Sequence, residues 1–383
     1  MASLSQFLLF FSFLFCLKNT FPVLGFQSNF ALFPVAKDAA TLQYVARISH
    51  GAPLGSTDLV VDLGGSFLWM DCNSGHVSSS YRLISSCSVN CSRAKFHDLG
   101  STSCLLNTNC YVSPYNGVTG STSVGELVED VIAVDSVDPS DVGQSTTVDH
   151  FLFACAPTFH LQGLASGAKG MMGLGKASIS LPSQLSSSIG HPQKFSVCLS
   201  SSTGVLLTGT RSLAYTPLIT KQNDYLINVQ SIKINGRRLA VHEQGKLEAK
   251  LSTVVPYTTM VSSVYAIFSK AYVEAATKMN MTRVETVAPF GLCFSSKGHC
   301  EMVKWRIQGR NSMVKVSEES MCLGFLDGGL EQSSPIVIGG LQMEDNLLEF
   351  DIGSSMLGFS SSLLLKETTC SSSLQDSKLK QFI

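Results

Sequence analysis

The segment VVDLGGSFLWMDC at 60–72 decides the fold, because an apolar strand runs directly into an acidic residue and a glycine-rich turn. The apolar segment Met171-Met172-Gly173 follows later in the first half. The second half repeats this order, with LSTVVPYTT at 251–259 followed by Val337-Ile338-Gly339. A repeat at the scale of half the chain predicts two lobes with equivalent topology.

Other short β-rich runs with turn signals between them predict a mainly β fold. They are LQYVARI at 43–49, DLVVDL at 58–63, LVEDVIAV at 127–134, FLFACAP at 151–157 and LINVQSIKI at 226–234. The best helical period starts at Ser262, a candidate N-cap. The turn-rich SSSTG at 200–204 predicts the boundary between the lobes, which gives lobes of 26–204 and 205–383.

Composition excludes several function classes. The 383 residues are 44% hydrophobic, 14% charged and carry a net charge of -1, so neither nucleic acid nor an anionic membrane is an expected partner. The eight histidines form no HExxH motif or i, i+4 pair, so no metal is expected. GMMGLGKA at 170–177 has the GxxxxGK part of a phosphate loop but ends in Ala177, and we interpret its glycines as turn residues. No cofactor is expected.

The N-terminus predicts secretion to the extracellular space, in a plant the apoplast or cell wall. The apolar run at 7–17 is too short for a bilayer span and small residues follow it, so we interpret residues 1–25 as a signal peptide; an uncleaved anchor is the alternative. Eleven of the twelve cysteines follow this segment, which favours an oxidising compartment. Asn90 and Asn280 lie in glycosylation sequons.

Five ordered motifs resemble those of the pepsin-type aspartic proteinases, in which each lobe presents an Asp on a turn braced by an apolar-apolar-Gly segment. They are VVDLGGSFLWMDC, GELVEDVIAV at 125–134, GAKGMMGLGKASISLPSQL at 167–185, PIVIGG at 335–340 and FDIGSSMLGFS at 350–360. DLGG, VAPFGLCF, NSMV and CLGFLDGG resemble the plant branch of basic 7S globulins, extracellular dermal glycoproteins and inhibitors of microbial xylanases and glucanases. The resemblance implies a bilobal pepsin-like fold with two β-barrel-like lobes.

Proteolysis in that family needs two carboxylates about 3 Å apart that share one proton. Asp62 matches the first, but Leu63 replaces the usual Thr or Ser, and the second position falls on Ser252. A serine hydroxyl cannot share that proton, so the resemblance implies an inactive homologue. Thr253 and Val254 complete a turn that we expect to be remodelled, with its hydrogen bonds unmade. Asp62 is then a hydrogen-bond acceptor that holds its turn, a residual catalytic role being the alternative.

The resemblance also pairs the cysteines as Cys72–Cys155, Cys87–Cys91, Cys104–Cys110, Cys198–Cys370 and Cys293–Cys322. Cys300, in a segment shorter than in the family, is left as a free thiol. Tyr115 is a candidate for the flap tyrosine of the proteinases, although its spacing to Gly125 is too long.

Three function classes stay open: a binding protein or inhibitor of secreted microbial glycoside hydrolases in plant defence, an active aspartic endopeptidase, and a storage or peptide-binding globulin of basic 7S type. The missing second carboxylate favours the first. Xylanase-inhibiting relatives use a histidine near the C-terminal cysteine, whereas SSSLLLKETT at 360–369 offers only Lys366. We therefore expect an endoglucanase or xyloglucanase rather than a xylanase as the partner.

Overall fold

A computed structural model describes residues 31–73, 77–95, 108–136, 145–190, 192–207, 213–241, 247–296, 309–360, 362–366 and 368–371. The mainly β prediction is confirmed, since strands follow one another along these residues with only short helices between them. Several strands alternate buried side chains with partly or fully exposed ones, as Tyr44–His50 does, because one face of the sheet packs on the core. The segment Gly170–Gly173 is instead buried on both faces.

The strands of the first half are short except for two that form a long antiparallel pair. They are β1 Ala31–Lys37, β2 Tyr44–His50, β3 Gly55–Asp62, β4 Trp69–Met70, β5 Arg82–Leu83, β6 Tyr111–Val112, β7 Tyr115–Asn116, β8 Ser121–Thr122, β9 Gly125–Ser136, β10 Ser145–Cys155, β11 Gly170–Gly173, β12 Lys194–Cys198 and β13 Thr203–Leu207. The long pair is β9 with β10, and its register shifts between Val148 and Phe151.

The strands of the second half are shorter still. They are β14 Ala214–Pro217, β15 Ile219–Lys221, β16 Asp224–Val229, β17 Lys233–Ile234, β18 Arg237–Arg238, β19 Leu247–Leu251, β20 Thr258–Met260, β21 Arg283–Val284, β22 Cys293–Ser295, β23 Met313–Lys315, β24 Ser320–Leu323, β25 Phe325–Asp327, β26 Ile336–Ile338, β27 Leu347–Asp351 and β28 Met356–Phe359. The run predicted at 226–234 is therefore two strands, because the chain leaves β16 at Val229 and turns back in the β17–β18 hairpin.

One large sheet runs through both halves of the chain. Its order is β14-β28-β27-β12-β13-β1-β2-β3-β11-β4-β10-β9-β5, with β6 paired to β9. The C-terminal strand β27 pairs antiparallel with β12 of the first half, so the end of the chain is joined to the first half by backbone hydrogen bonds. A separate sheet of order β15-β16-β19-β26-β20-β25 belongs to the second half alone. The boundary at 200–204 stays a prediction.

Each half contains a parallel strand pair at its centre, where the chain enters the turn of the repeat. β3 pairs in parallel with β11, and β19 pairs in parallel with β26. β11 and β26 are buried throughout, as expected for strands covered on both sides, whereas β19 alternates buried and partly buried residues and β3 is fully buried only over its last four. The main core cluster lies around them and includes Val61, Met172 and Ile338.

The helices are short apart from one in the second half. They are α1 Val89–Lys95, α2 Leu181–Ile189, α3 Ser262–Lys278 and α4 Gly340–Met343, with single 3-10 turns at Thr158–Leu161, Gly309–Asn311 and Leu363–Lys366. The prediction of Ser262 as N-cap of α3 is wrong by one residue. Val261 is the N-cap, and the Ser262 hydroxyl donates to Asp327 Oδ1 at 2.7 Å instead of capping the helix. None of the described helices has both the length and the hydropathy to cross a membrane.

Candidate functional site: the two central turns

The ends of β3 and β19 occupy corresponding positions in the two halves. Asp62, the last residue of β3, lies opposite Gly173 of β11. In the second half Leu251 lies opposite Ile338, and the next residue, Ser252, donates its N–H to Ile338 O at 3.0 Å. Ser252 therefore stands where the second half should repeat Asp62, and both side chains are buried.

The two turns are linked by the Thr253 hydroxyl. It donates to Val61 O at 2.6 Å and accepts the Leu63 N–H at 3.2 Å, so the second turn contacts both neighbours of Asp62. The prediction that Thr253 leaves these bonds unmade is wrong, because a threonine hydroxyl can donate and accept at once. Leu63 has no hydroxyl, so it cannot make the reciprocal contact toward the second turn. Only the second turn therefore supplies a side-chain hydroxyl to the link between the turns.

Burial dominates the electrostatics of Asp62. Only 6% of its surface is exposed, and its Oδ1 accepts the Gly64 N–H at 2.9 Å. Burial raises the pKa of Asp62 to about 6, although the Gly64 N–H and the positive charge of Lys250 lower it and the negative charge of Asp224 raises it further. A single carboxyl with this pKa holds a proton in mildly acidic solution.

The turn of the β7–β8 hairpin lies beside the Asp62 carboxylate. The β7–β8 hairpin brings Gly117 so close that a Cβ there would lie 3.1 Å from Asp62 Oδ2 and 3.4 Å from Val254 Cγ2. A side chain on Gly65 would meet Gly173 Cα at 2.7 Å. The turns therefore pack against one another and against the hairpin, and Val254 supplies a methyl group where the proteinase turn has a glycine.

An ion pair from the second half lies on the other side of the Asp62 turn. Lys250 Nζ is 2.8 Å from Asp224 Oδ2, and a Cβ on Gly64 would be 2.5 Å from Asp224 Oδ1. Asn223 adds a bond from its Nδ2 to Ser66 Oγ at 2.7 Å. Sequence reasoning missed these contacts, because nothing in the spacing of residues 223–224 and 250 relates them to the first turn.

Tyr115 does lie on the hairpin over the site, but its side chain is half exposed. The Trp69 indole N–H donates to the backbone O of Tyr115 at 3.0 Å, so the hairpin is held by its main chain. The Trp69 ring also packs on His160 at a centroid distance of 4.7 Å. The hairpin is thus anchored by residues outside the central turns.

Among the disulfides, Cys72–Cys155, Cys198–Cys370 and Cys293–Cys322 are paired as the resemblance implied. The pairs Cys87–Cys91 and Cys104–Cys110 are wrong. Cys91 bonds Cys110 instead, with their Cα atoms 5.7 Å apart, because the Ser85–Asn109 bridge places the segment that carries Cys110 alongside α1. Cys87 is disulfide-bonded too, and Cys104 and Cys300 lie outside the described residues.

The remaining candidate residues are spread over the surface. Asn280 is exposed just beyond α3, in a left-handed conformation with φ 56°, whereas Asn90 is half-buried in α1 beside the bridged Cys91. Lys366 ends a 3-10 turn, but its side chain lies outside the described part. Within the described ranges, no three His, Cys, Asp or Glu side chains form a group that could hold a metal ion.

Two family models match nearly the whole of both halves. One is described as xylanase inhibitor N-terminal and matches residues 44–210; the other is described as xylanase inhibitor C-terminal and matches residues 224–361. The chain belongs to this family. It is 40% identical to the probable aspartic proteinase GIP2 of Nicotiana benthamiana, in an alignment that covers 90% of this chain and 92% of that protein.

Solved structures agree with this assignment. The crystal structure of edgp matches with a TM-score of 0.81 at 39% identity over 90% of this chain and 98% of that one. Basic 7S globulin from soybean matches with a TM-score of 0.80 at 34% identity over 89% and 98%. An aspartic proteinase from Irpex lacteus, at 17% identity and a TM-score of 0.59, shares the fold alone. The family resemblance and the pepsin-like fold are confirmed.

Proposed function

We propose that this family member is a catalytically inactive aspartic proteinase homologue that binds and inhibits secreted glycoside hydrolases. The observation that carries the first part is the position of Ser252, which follows Leu251 where the repeat requires the partner of Asp62. Acid–base catalysis by a carboxyl pair needs one protonated and one ionised carboxyl at the same time. Asp62 alone supplies one or the other, never both.

The packing around Asp62 supports the same conclusion. Gly117 lies so close to its Oδ2 that a Cβ there would be 3.1 Å away, and the Gly64 N–H is bonded to its Oδ1, so protein atoms lie near both oxygens. A proteinase must instead keep room there for a water and the scissile peptide. The carboxylate is better suited to holding the turn than to attacking a substrate.

The proposal of a glycosidase partner rests on the family assignment and on charge complementarity. Both matching family models are described as halves of a xylanase inhibitor. Glycosidases hold two Asp or Glu residues across a cleft, so a proteinaceous inhibitor gains from presenting a cation or strong donor to that pair. The stretch 360–369 has Lys366 and no histidine, which favours an endoglucanase or xyloglucanase over a xylanase. We infer secretion to the plant apoplast and a defence role from this partner and from the N-terminal segment.

The test is titration of the purified mature protein against microbial endoglucanases, xyloglucanases and xylanases, with residual hydrolysis as the readout. We expect stoichiometric loss of activity for at least one endoglucanase or xyloglucanase at micromolar inhibitor. Lys366→Ala should weaken inhibition, whereas Lys176→Ala, which removes an exposed lysine of the first half, should not. Full activity of every enzyme would contradict the inhibitor proposal.

A second candidate function is storage, because a basic 7S globulin shares the fold at 34% identity. A protein abundant in seeds that captures no glycosidase would favour this function. The endopeptidase alternative is tested separately, by incubating the pure protein with haemoglobin or casein at acidic pH. Cleavage of either substrate that pepstatin inhibits would favour the endopeptidase alternative.

A further inference from the structure

A two-residue hairpin in the second half presents three cations on a small area. β17 and β18 pair Lys233 with Arg238 and Ile234 with Arg237, and residues 235–236 form the turn with φ 48° and 79°. Positive φ at both turn positions is typical of a tight hairpin whose twist matches its strands. Lys233 and Arg238 therefore stand side by side on one face of a rigid support.

Among the residues that the structure describes, no acid balances the charges on this face. Like charges directly opposite each other on paired strands are destabilising. Arg238 donates to Gln230 O at 3.0 Å, and none of the described carboxylates forms an ion pair with Lys233 or Arg238. Both side chains are exposed. A pair of cations at such a position, without a carboxylate, is suited to an anionic partner.

The other face of the hairpin lines a pocket to which α3 adds a fourth cation, Lys278. A cavity of about 120 Å³ lies between the hairpin and α3, with Ile234, Leu239 and Ala271 among its apolar walls. Arg237 and Lys278 line it as well. The one carboxylate there, Glu274, is 3.3 Å from Arg237 and leaves Lys278 without an ion pair among the described residues.

Lys278 is not needed to cap its helix. It lies in the last turn of α3, where a cation would ordinarily satisfy terminal carbonyl groups. Those carbonyls already accept the N–H groups of Met279, Asn280 and Met281. The ammonium group is therefore available to a ligand.

We propose that this cationic surface, formed by Lys233, Arg237, Arg238 and Lys278, binds an acidic polysaccharide built of uronic acids. Each sugar of such a polymer carries one carboxylate on a compact ring. Arginine forks and lysine ammonium groups bind carboxylates through charge-assisted hydrogen bonds, and the pocket places Arg237 and Lys278 beside apolar walls that a sugar ring can contact. No described aromatic residue lines the pocket, so the stacking that single-stranded nucleic acids use has no platform there.

The experiment measures binding of the mature protein to polygalacturonate, with the same polymer in highly methyl-esterified form as the uncharged control. We expect binding to the acidic form that weakens with added salt, and at least about tenfold weaker binding to the ester. The double variant Lys233→Ser/Arg238→Ser should also lose about tenfold or more, and so should Arg237→Gln/Lys278→Gln. All four changes are on the protein surface.

The matched control is Arg82→Ser/Arg93→Ser. These exposed arginines of the first half also bond backbone carbonyls, those of Ser79, Tyr81 and Ser178, so the control removes two similar cations elsewhere. It should leave binding unchanged. The proposal is overturned if the acidic polymer does not bind, if the control pair weakens binding as much as the hairpin pair, or if a single-stranded oligonucleotide or vesicles of anionic phospholipid bind more tightly than polygalacturonate.

Discussion

Replacing Asp62 by asparagine should make the protein more stable at neutral pH. The pKa of Asp62 is raised by burial from 3.8 to about 6 in the folded protein. Below the lower value the group is protonated in both states and contributes nothing. As pH rises from about 4 to about 6, the unfolded chain ionises first and folding becomes less favourable. Each pKa unit corresponds to about 1.4 kcal/mol, so ionised Asp62 lowers the free energy of unfolding by about 3 kcal/mol above pH 6.

The asparagine side chain introduced by this substitution cannot ionise, and its oxygen can still accept the Gly64 N–H that Asp62 accepts at 2.9 Å. The difference in unfolding free energy between Asp62→Asn and the unmodified protein should therefore grow by about 3 kcal/mol between roughly pH 4 and pH 7. Taking the difference at each pH removes the contribution of every other titrating group.

The assay is urea unfolding followed by tryptophan fluorescence at several pH values across this range. Ser252→Ala is the control, because it changes the neighbouring turn without removing a titrating group. Its difference from the unmodified protein should not vary with pH. If the Asp62→Asn difference is equally independent of pH, or falls as pH rises, then burial does not raise the pKa of Asp62 in the folded protein.

Three further predictions concern the same turns and the bridges. Ser252→Asp should not produce pepstatin-sensitive cleavage of casein, because Leu63 and Val254 still replace the hydroxyl-bearing residue and the glycine of the proteinase turns; measurable cleavage would contradict this. Thr253→Val should destabilise the fold by about 1–3 kcal/mol for each of the two backbone groups it leaves unpaired, and Thr253→Ser should retain most of that stability in thermal melts. Removal of the Cys198–Cys370 bridge, which spans 172 residues, should cost about 2–5 kcal/mol, and an unchanged melting temperature would count against it.

Much of the fold could be predicted from local pattern. The apolar run before Asp62 is a strand, as predicted, and each of the two strands that end before the central turns is braced by the apolar-apolar-Gly segment expected from the repeat. Local pattern did not predict the features that depend on tertiary contacts, such as the disulfide pairing. Cys91 lies four residues from Cys87 in sequence, yet it bonds Cys110, because Cα separation across the first half sets the pairing.

The sequence by itself determined that the second half carries a serine where the first carries an aspartate, since the identity of a side chain does not depend on its surroundings. Only the tertiary structure decided what becomes of the remaining carboxylate. Burial by residues far apart in the chain raises its pKa, Thr253 links the two turns, and Gly117 lies beside the carboxylate. Desolvation and hydrogen bonding depend on distances of a few ångströms, and those distances are set by how the two halves pack, not by spacing along the chain.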